Sequence, residues 1–333
     1  MGKIQRQKIE LYKVRTFSDK FADTFSFISE NWKPLLKYTV AILAPFSILQ
    51  AFFLNSMFAS TFIGMADTLN SASTDAIVAL CVNYCVLVVL SVVGIVLLAS
   101  SVYGLMDVYA RRPERLMGMS FALLRPSFGR IAKRLALAVL AVFVLFLPVL
   151  GLAGFFVYSF PGAILAAYAA LLAVSVPLAF VFPVCSFEDV PLLSAVKKSL
   201  VLGFKTWGGT AVLLFITAML VSVVLTVATI PWTVCFVLKD IFVADNAQGL
   251  AFTGSWWFQF LSFVLAVVYV LGAYIGNSIM LVALAYQYGH AADKLYGQSV
   301  AADIDSFDSP ASGSASPSAP SRLNQDIDNF DNI

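Results

Sequence analysis

At 333 residues, 60% of them apolar and only 12% charged, with a mean hydropathy of +0.88, this chain cannot cover a water-facing surface. Soluble domains run at roughly 45–50% apolar and about 25% charged. A formal charge of +2 conceals segregation, because the basic residues sit in the N-terminal region and two loops while the C-terminal tail is acidic. These balances exclude a soluble enzyme and predict an all-α integral membrane protein whose partners are membrane lipids, anionic ones first. No nucleic-acid partner is expected.

Residues 1–34 are basic and amphipathic, without the apolar core of a cleaved signal peptide, so the first span is expected to act as the insertion signal. Within them Phe17, Phe21, Phe25, Ile28 and Trp32 recur at helical period, with Asp19, Lys20, Asp23 and Glu30 on other faces. Pro34 is expected to end this helix. Span 1 follows at 35–58 and span 2 at 76–102. The next segment carries Arg111, Arg112, Arg115, Arg125, Arg130, Lys133 and Arg134. It repeats the amphipathic pattern through Met117, Phe121, Leu124 and Phe128, with Pro126 as the breaker.

Spans 3 and 4 are read at 135–158 and 163–184, joined by a tight turn at Ser159-Phe160-Pro161-Gly162. The third amphipathic stretch is the clearest. Leu193, Val196, Leu200, Phe204 and Trp207 form its apolar stripe, Lys197, Lys198 and Lys205 lie off it, and Gly208-Gly209 breaks it. Spans 5 and 6 follow at 210–232 and 256–284, closing a membrane domain over 35–290. About twenty apolar residues cross a hydrocarbon core near 30 Å thick, and only helices satisfy their backbone there. From 291 to 333 the chain reads as a disordered acidic tail, which offers a site for docking a protein partner.

Orientation follows from the cations. Of 21 Lys and Arg, only Lys239 falls between an odd span and the next even one. The positive-inside rule then puts both termini in the cytoplasm of a bacterial inner membrane. Three interfacial helices would lie on that face, anchored by Trp32, Phe128 and Trp207. The units 17–58, 116–158 and 192–232 read as three degenerate helix-hairpin repeats.

Chemistry-bearing patterns are sparse. His290 is the single histidine, and the cysteines at 81, 85, 185 and 235 have no metal-ligand spacing, so no cofactor, metal or catalytic activity is expected. Asp107 stands four residues before Arg111, the spacing of a helical ion pair. Glu188 and Asp189 are expected to cap the third amphipathic helix. Asn83, Asn277 and Ser278 are polar within spans 2 and 6. Two readings of them stand: helix packing beside the Gly272-x-x-x-Gly276 motif, or the lining of a cavity in a lipid-handling permease. The basic segments are the positive signal, suited to anionic headgroups and to a non-enzymatic module that organises lipid or a protein partner.

Glu188-Asp189, Ala195-Val196-Lys197-Lys198-Ser199-Leu200 and Phe204-Lys205-Thr206-Trp207, with Phe21, Phe25 and Trp32-Lys33-Pro34-Leu35, carry a resemblance. The chain resembles, in layout over 17–290, polytopic bacterial proteins related to the membrane domain of glycerophosphoryl diester phosphodiesterases and allied families of unknown function. The resemblance implies a membrane module without phosphodiesterase activity, because the catalytic barrel has no counterpart here.

Overall fold

The computed structural model describes residues 8–71, 74–112, 116, 118–160, 162, 164–245, 252 and 254–297. The tail from 298 onward, and Arg115 and Met117, lie outside the described residues. Every described element is a helix: α1 Phe17–Ser71, α2 Thr74–Arg111, α3 Phe121–Ser159, α4 Ile164–Ala179, α5 Val181–Phe187, α6 Leu192–Lys205, α7 Trp207–Asp245 and α8 Trp256–Tyr296. Among the described residues, five stretches are long and apolar enough to cross a membrane: Phe17–Met57, Val78–Arg111, Ile164–Phe187, Trp207–Lys239 and Trp256–Tyr296. The chain has the architecture of a multi-pass membrane protein.

α8 is the central helix, packed between α1 and α7, while α2 bridges α1 and α3, and α4 packs on α6. The α7–α8 pair shows why. Thr210 meets Gln287, Val221 meets Gly276, and Ala228 meets Gly272, each step up one helix matching a step down the other. The two helices are therefore antiparallel, and the two glycines of α8 admit α7 closely: a Cβ on Gly276 would come within 3.0 Å of Val221. Of the two readings, packing is the one this motif fulfils.

The amphipathic stretches follow expectation unevenly. The first is set off from its span much as expected: α1 is two helices joined across a kink at Asn31 (φ −120°, ψ 20°), three residues before Pro34. Pro34 cannot bond the Glu30 carbonyl and crowds it, so the distortion falls upstream, and the Asn31 amide donates to Phe27 O at 3.0 Å. Thr16 and Asp19 start the helix with a reciprocal capping box. The second stretch, by contrast, is merged with its span, because α3 passes straight through Pro126. Only one turn of helix precedes that proline, so a single early hydrogen bond is lost. The third is a distinct helix, but it breaks at Thr206 (φ −115°, ψ 19°), and the expected breakers Gly208 and Gly209 lie inside α7.

The faces of these stretches are mixed. Within 17–32 the buried residues are Lys20, Thr24, Phe27 and Asn31, while Phe17, Phe25 and Trp32 of the apolar stripe are exposed. In α6 the buried face is Ala195, Val196, Ser199, Leu202 and Gly203, while Leu193 and Phe204 point outward, as does Trp207 at the start of α7. Phe27, Val196 and Leu202 meet protein alongside small and polar residues, and the other large apolar side chains named here do not.

α8 also continues to Tyr296, with Ala291, Ala292 and Asp293 buried, so the segment expected to be tail from 291 begins as packed helix. The reason lies at the other end of the chain. Residues 8–16 form an extended strap across the ends of α2 and α8. Lys8 donates to the Ala110 and Arg112 carbonyls, closing the C-terminus of α2, and the Leu11 carbonyl sits where a Cβ on Gly289 would be.

Candidate functional site

Two places gather polar side chains: the end of the bundle where the strap lies, and a cavity midway along α8. At the strapped end, Arg15 is the most enclosed cation. Its guanidinium binds Asp23 at 2.6 Å, donates to the Leu11 and Lys13 carbonyls, and lies 4.9 Å from the Tyr286 ring centre. Its backbone N–H donates to His290 Nδ1 at 3.0 Å, so that nitrogen carries no proton. His290 is thus a helix-to-strap link. Tyr12 approaches Tyr288 at 3.5 Å between hydroxyls, and burial raises the Tyr12 pKa above its ordinary value. Tyr288 in turn donates to Glu188, whose other oxygen receives Lys198 at 2.7 Å.

The carboxylates bind cations rather than cap a helix. Pro191 occupies the N-cap of α6 with no side-chain cap, Glu188 is taken by Tyr288 and Lys198, and Asp189 is taken by Arg134 and Arg130. A second bond from Arg134 reaches the Val190 carbonyl at 2.7 Å. Asp107 makes the expected pair with Arg111 (2.9 Å) and, unforeseen, bonds to Ser127 (2.8 Å) and Arg130 (3.4 Å) of α3. The residues from 107 to 198 form an alternating acid–base lacing that ties α2, α3 and α6 together.

The basic surface read from the sequence therefore divides. Arg130 and Arg134 tie α3 to its neighbours and Lys198 holds Glu188, while Arg111 pairs with Asp107 within α2 and stays exposed. Arg112 is half-buried, its carbonyl capped by Lys8. Arg125, Lys133, Lys197 and Lys205 are exposed and, among the described residues, form no ion pair. Of the three aromatic anchors, Trp32 is exposed beside Lys33, whose ammonium lies 5.7 Å from the ring centre. Phe128 is half-buried, with its backbone against Gly104 of α2.

Trp207 has a role that its position alone did not suggest. Its indole N–H donates to the Ala173 carbonyl of α4 at 2.9 Å. Ala173 is four residues before Pro177, which has no N–H to offer that carbonyl. The tryptophan supplies the missing donor. Beside it, a Cβ on Gly203 would fall 2.3 Å from Pro177 Cα, so α6 and α4 touch backbone to backbone where the proline bends the helix.

The second gathering lies between α1, α2 and α8. Gln50 donates to Ser91 at 3.0 Å and accepts from the Tyr274 hydroxyl at 2.5 Å. These three residues and Asn277 line a cavity of about 500 Å³. Asn277 is one of the residues lining this cavity. Ser278 is not, being buried with its hydroxyl bonded to the Ile275 carbonyl, and Asn83 instead donates to Ser56 at 3.4 Å. Gln50, Ser91 and Tyr274 were visible as polar residues within spans. What joined them was the helix register, which one chain's sequence does not carry.

No protein-family profile, curated protein or solved structure matches this chain.

Proposed function

We propose that this chain is a non-enzymatic module of a bacterial cytoplasmic membrane that gathers anionic lipid at its cytoplasmic end. In this reading α3 is a sixth span beside the five already described, both termini are cytoplasmic, and the three span pairs are degenerate repeats. The strapped end faces the cytoplasm. The kinship with the membrane domain of glycerophosphoryl diester phosphodiesterases belongs to this proposal, and the helix-small-x-x-x-small contact of Ala195 and Ser199 in α6 is compatible with it.

One observation carries the reading. α6 turns Ala195, Val196, Ser199, Leu202 and Gly203 to the protein and leaves Leu193 and Phe204 outward, with Trp207 exposed just beyond its end and the cations Lys197 and Lys205, which form no ion pair among the described residues, on the same short segment. Such a face fits the boundary between acyl chains and headgroups. Lys133 and Arg125 of α3 are exposed as well. Each exposed cation near an anionic membrane contributes about 1 kcal/mol, roughly fivefold in local lipid occupancy.

Native mass spectrometry of the protein released from nanodiscs of mixed phosphatidylglycerol and phosphatidylcholine tests this. Retained lipid should be enriched in phosphatidylglycerol, and the triple change Lys133→Gln, Lys197→Gln, Lys205→Gln should abolish the enrichment. Retention that mirrors the bulk lipid ratio in the unaltered protein would refute the proposal. A second reading, a lipid-handling permease, draws on the cavity at Gln50 and Asn277.

A further inference from the structure

The cavity between α1, α2 and α8 has a chemistry and a depth that together select a ligand. Tyr274 is 18 residues from Trp256 and 16 from His290, about 27 Å and 24 Å along α8 at 1.5 Å per residue. It therefore opens near the middle of the bilayer. A charged group there is costly, and none of the lining residues is ionised at neutral pH. A phospholipid headgroup has no counter-charge to meet.

The polar atoms of the lining are only partly used. Gln50, itself buried, gives one amide hydrogen to Ser91 and accepts from Tyr274, and among the described residues its second N–H has no acceptor. Ser91 accepts from Gln50, and among the described residues its own O–H has no acceptor. The Asn277 amide donates to the Ala273 carbonyl of its own helix at 2.8 Å, and among the described residues no donor reaches its Oδ1. Donors and one acceptor thus stand around one space, the complement of a hydroxyl, which accepts and donates at once. The remaining walls, Leu54, Leu87, Ile95 and Val270 among them, are hydrocarbon. A volume of about 500 Å³ falls within the ordinary range of ligand sites, roughly 300–1,000 Å³.

We propose that this cavity binds a neutral lipid bearing a free hydroxyl, its head on Gln50, Ser91 and Asn277 and its chain leaving sideways into the bilayer. Diacylglycerol is the simplest such molecule and serves as the probe. The proposal rests on the multi-pass reading but not on headgroup binding at the cytoplasmic end, and the two fail separately.

The full chain in phosphatidylcholine nanodiscs is irradiated with diacylglycerol carrying a diazirine in one acyl chain, and labelled peptides are mapped. Labelling should concentrate on the α1, α2 and α8 residues of the cavity and be competed by unlabelled diacylglycerol but not by its methyl ether. Ser91→Ala, a change small enough to leave packing intact, and Asn277→Leu should each reduce labelling about fivefold, the usual share of one hydrogen bond. Equal competition by the methyl ether would overturn the proposal. So would equal labelling of these residues by a phosphatidylcholine diazirine, or undiminished labelling in both variants.

Discussion

At the scale of single residues, the molecule uses side chains to repair what prolines and helix ends leave open. Trp207 gives its indole N–H to a carbonyl that Pro177 cannot serve, and Lys8 closes the last carbonyls of α2. Trp207→Phe keeps an aromatic ring of smaller size and removes the N–H donor. It should cost about 1 kcal/mol of the contact between α4 and the start of α7, read as faster amide exchange across 192–207, whereas unchanged exchange would mean that the bond carries no weight. Gly289→Ala is the harsher change, because the new methyl would sit 2.0 Å from the Leu11 carbonyl. The strap should lift at a cost of roughly 1–3 kcal/mol, typical of overpacking, and trypsin should then cut after Lys13 and Arg15 sooner than in the parent protein. Equal cleavage rates would show the strap to be held elsewhere.

At the scale of elements, α6 is the piece most exposed to test. It is tied by Glu188–Lys198 at its front, by backbone contact at Gly203 and by Trp207 at its rear. Gly203→Val should drive it off α4, since the opposing atoms are proline backbone and cannot yield. Disulfide trapping between cysteines placed at Ala173 and Trp207 in the parent should disappear in that variant, and persistence of the crosslink would contradict the packing described here.

Much of this architecture could be read before the fold was known, since apolar runs of twenty residues have few other uses. The Asp107–Arg111 pair and the Gly272-x-x-x-Gly276 contact followed from helix spacing alone. What spacing could not give was direction. The periodic aromatics of 17–32 were legible as a stripe, yet nothing local distinguishes a stripe facing lipid from one facing protein. Pro34 and Pro126 looked equally disruptive, but one kinks a long helix and the other, one turn from a helix start, does not. The strap was illegible because its partners, Tyr109, Tyr288 and His290, lie some hundred or more residues away. The same distance hid the joining of Gln50 and Tyr274.

At the scale of the whole molecule, the proposed reading gives the strapped end and the middle separate tasks. The strapped end is laced by acids and bases that engage Arg111, Arg130, Arg134 and Lys198 in ion pairs, while Arg125, Lys133, Lys197 and Lys205 are exposed and form none among the described residues. The middle holds a hydroxyl-sized polar niche away from any charge. Both roles depend on the six proposed spans crossing in the stated sense, α3 included. That claim is tested by cysteine accessibility in intact cells. With the four native cysteines changed to serine, single cysteines are introduced by Lys133→Cys, Phe160→Cys, Lys205→Cys and Ser255→Cys and exposed to a membrane-impermeant maleimide. The account predicts that positions 160 and 255 react from outside and that 133 and 205 react only once the membrane is opened. Reaction of 133 from outside, or silence at 160 while 255 reacts, would contradict it.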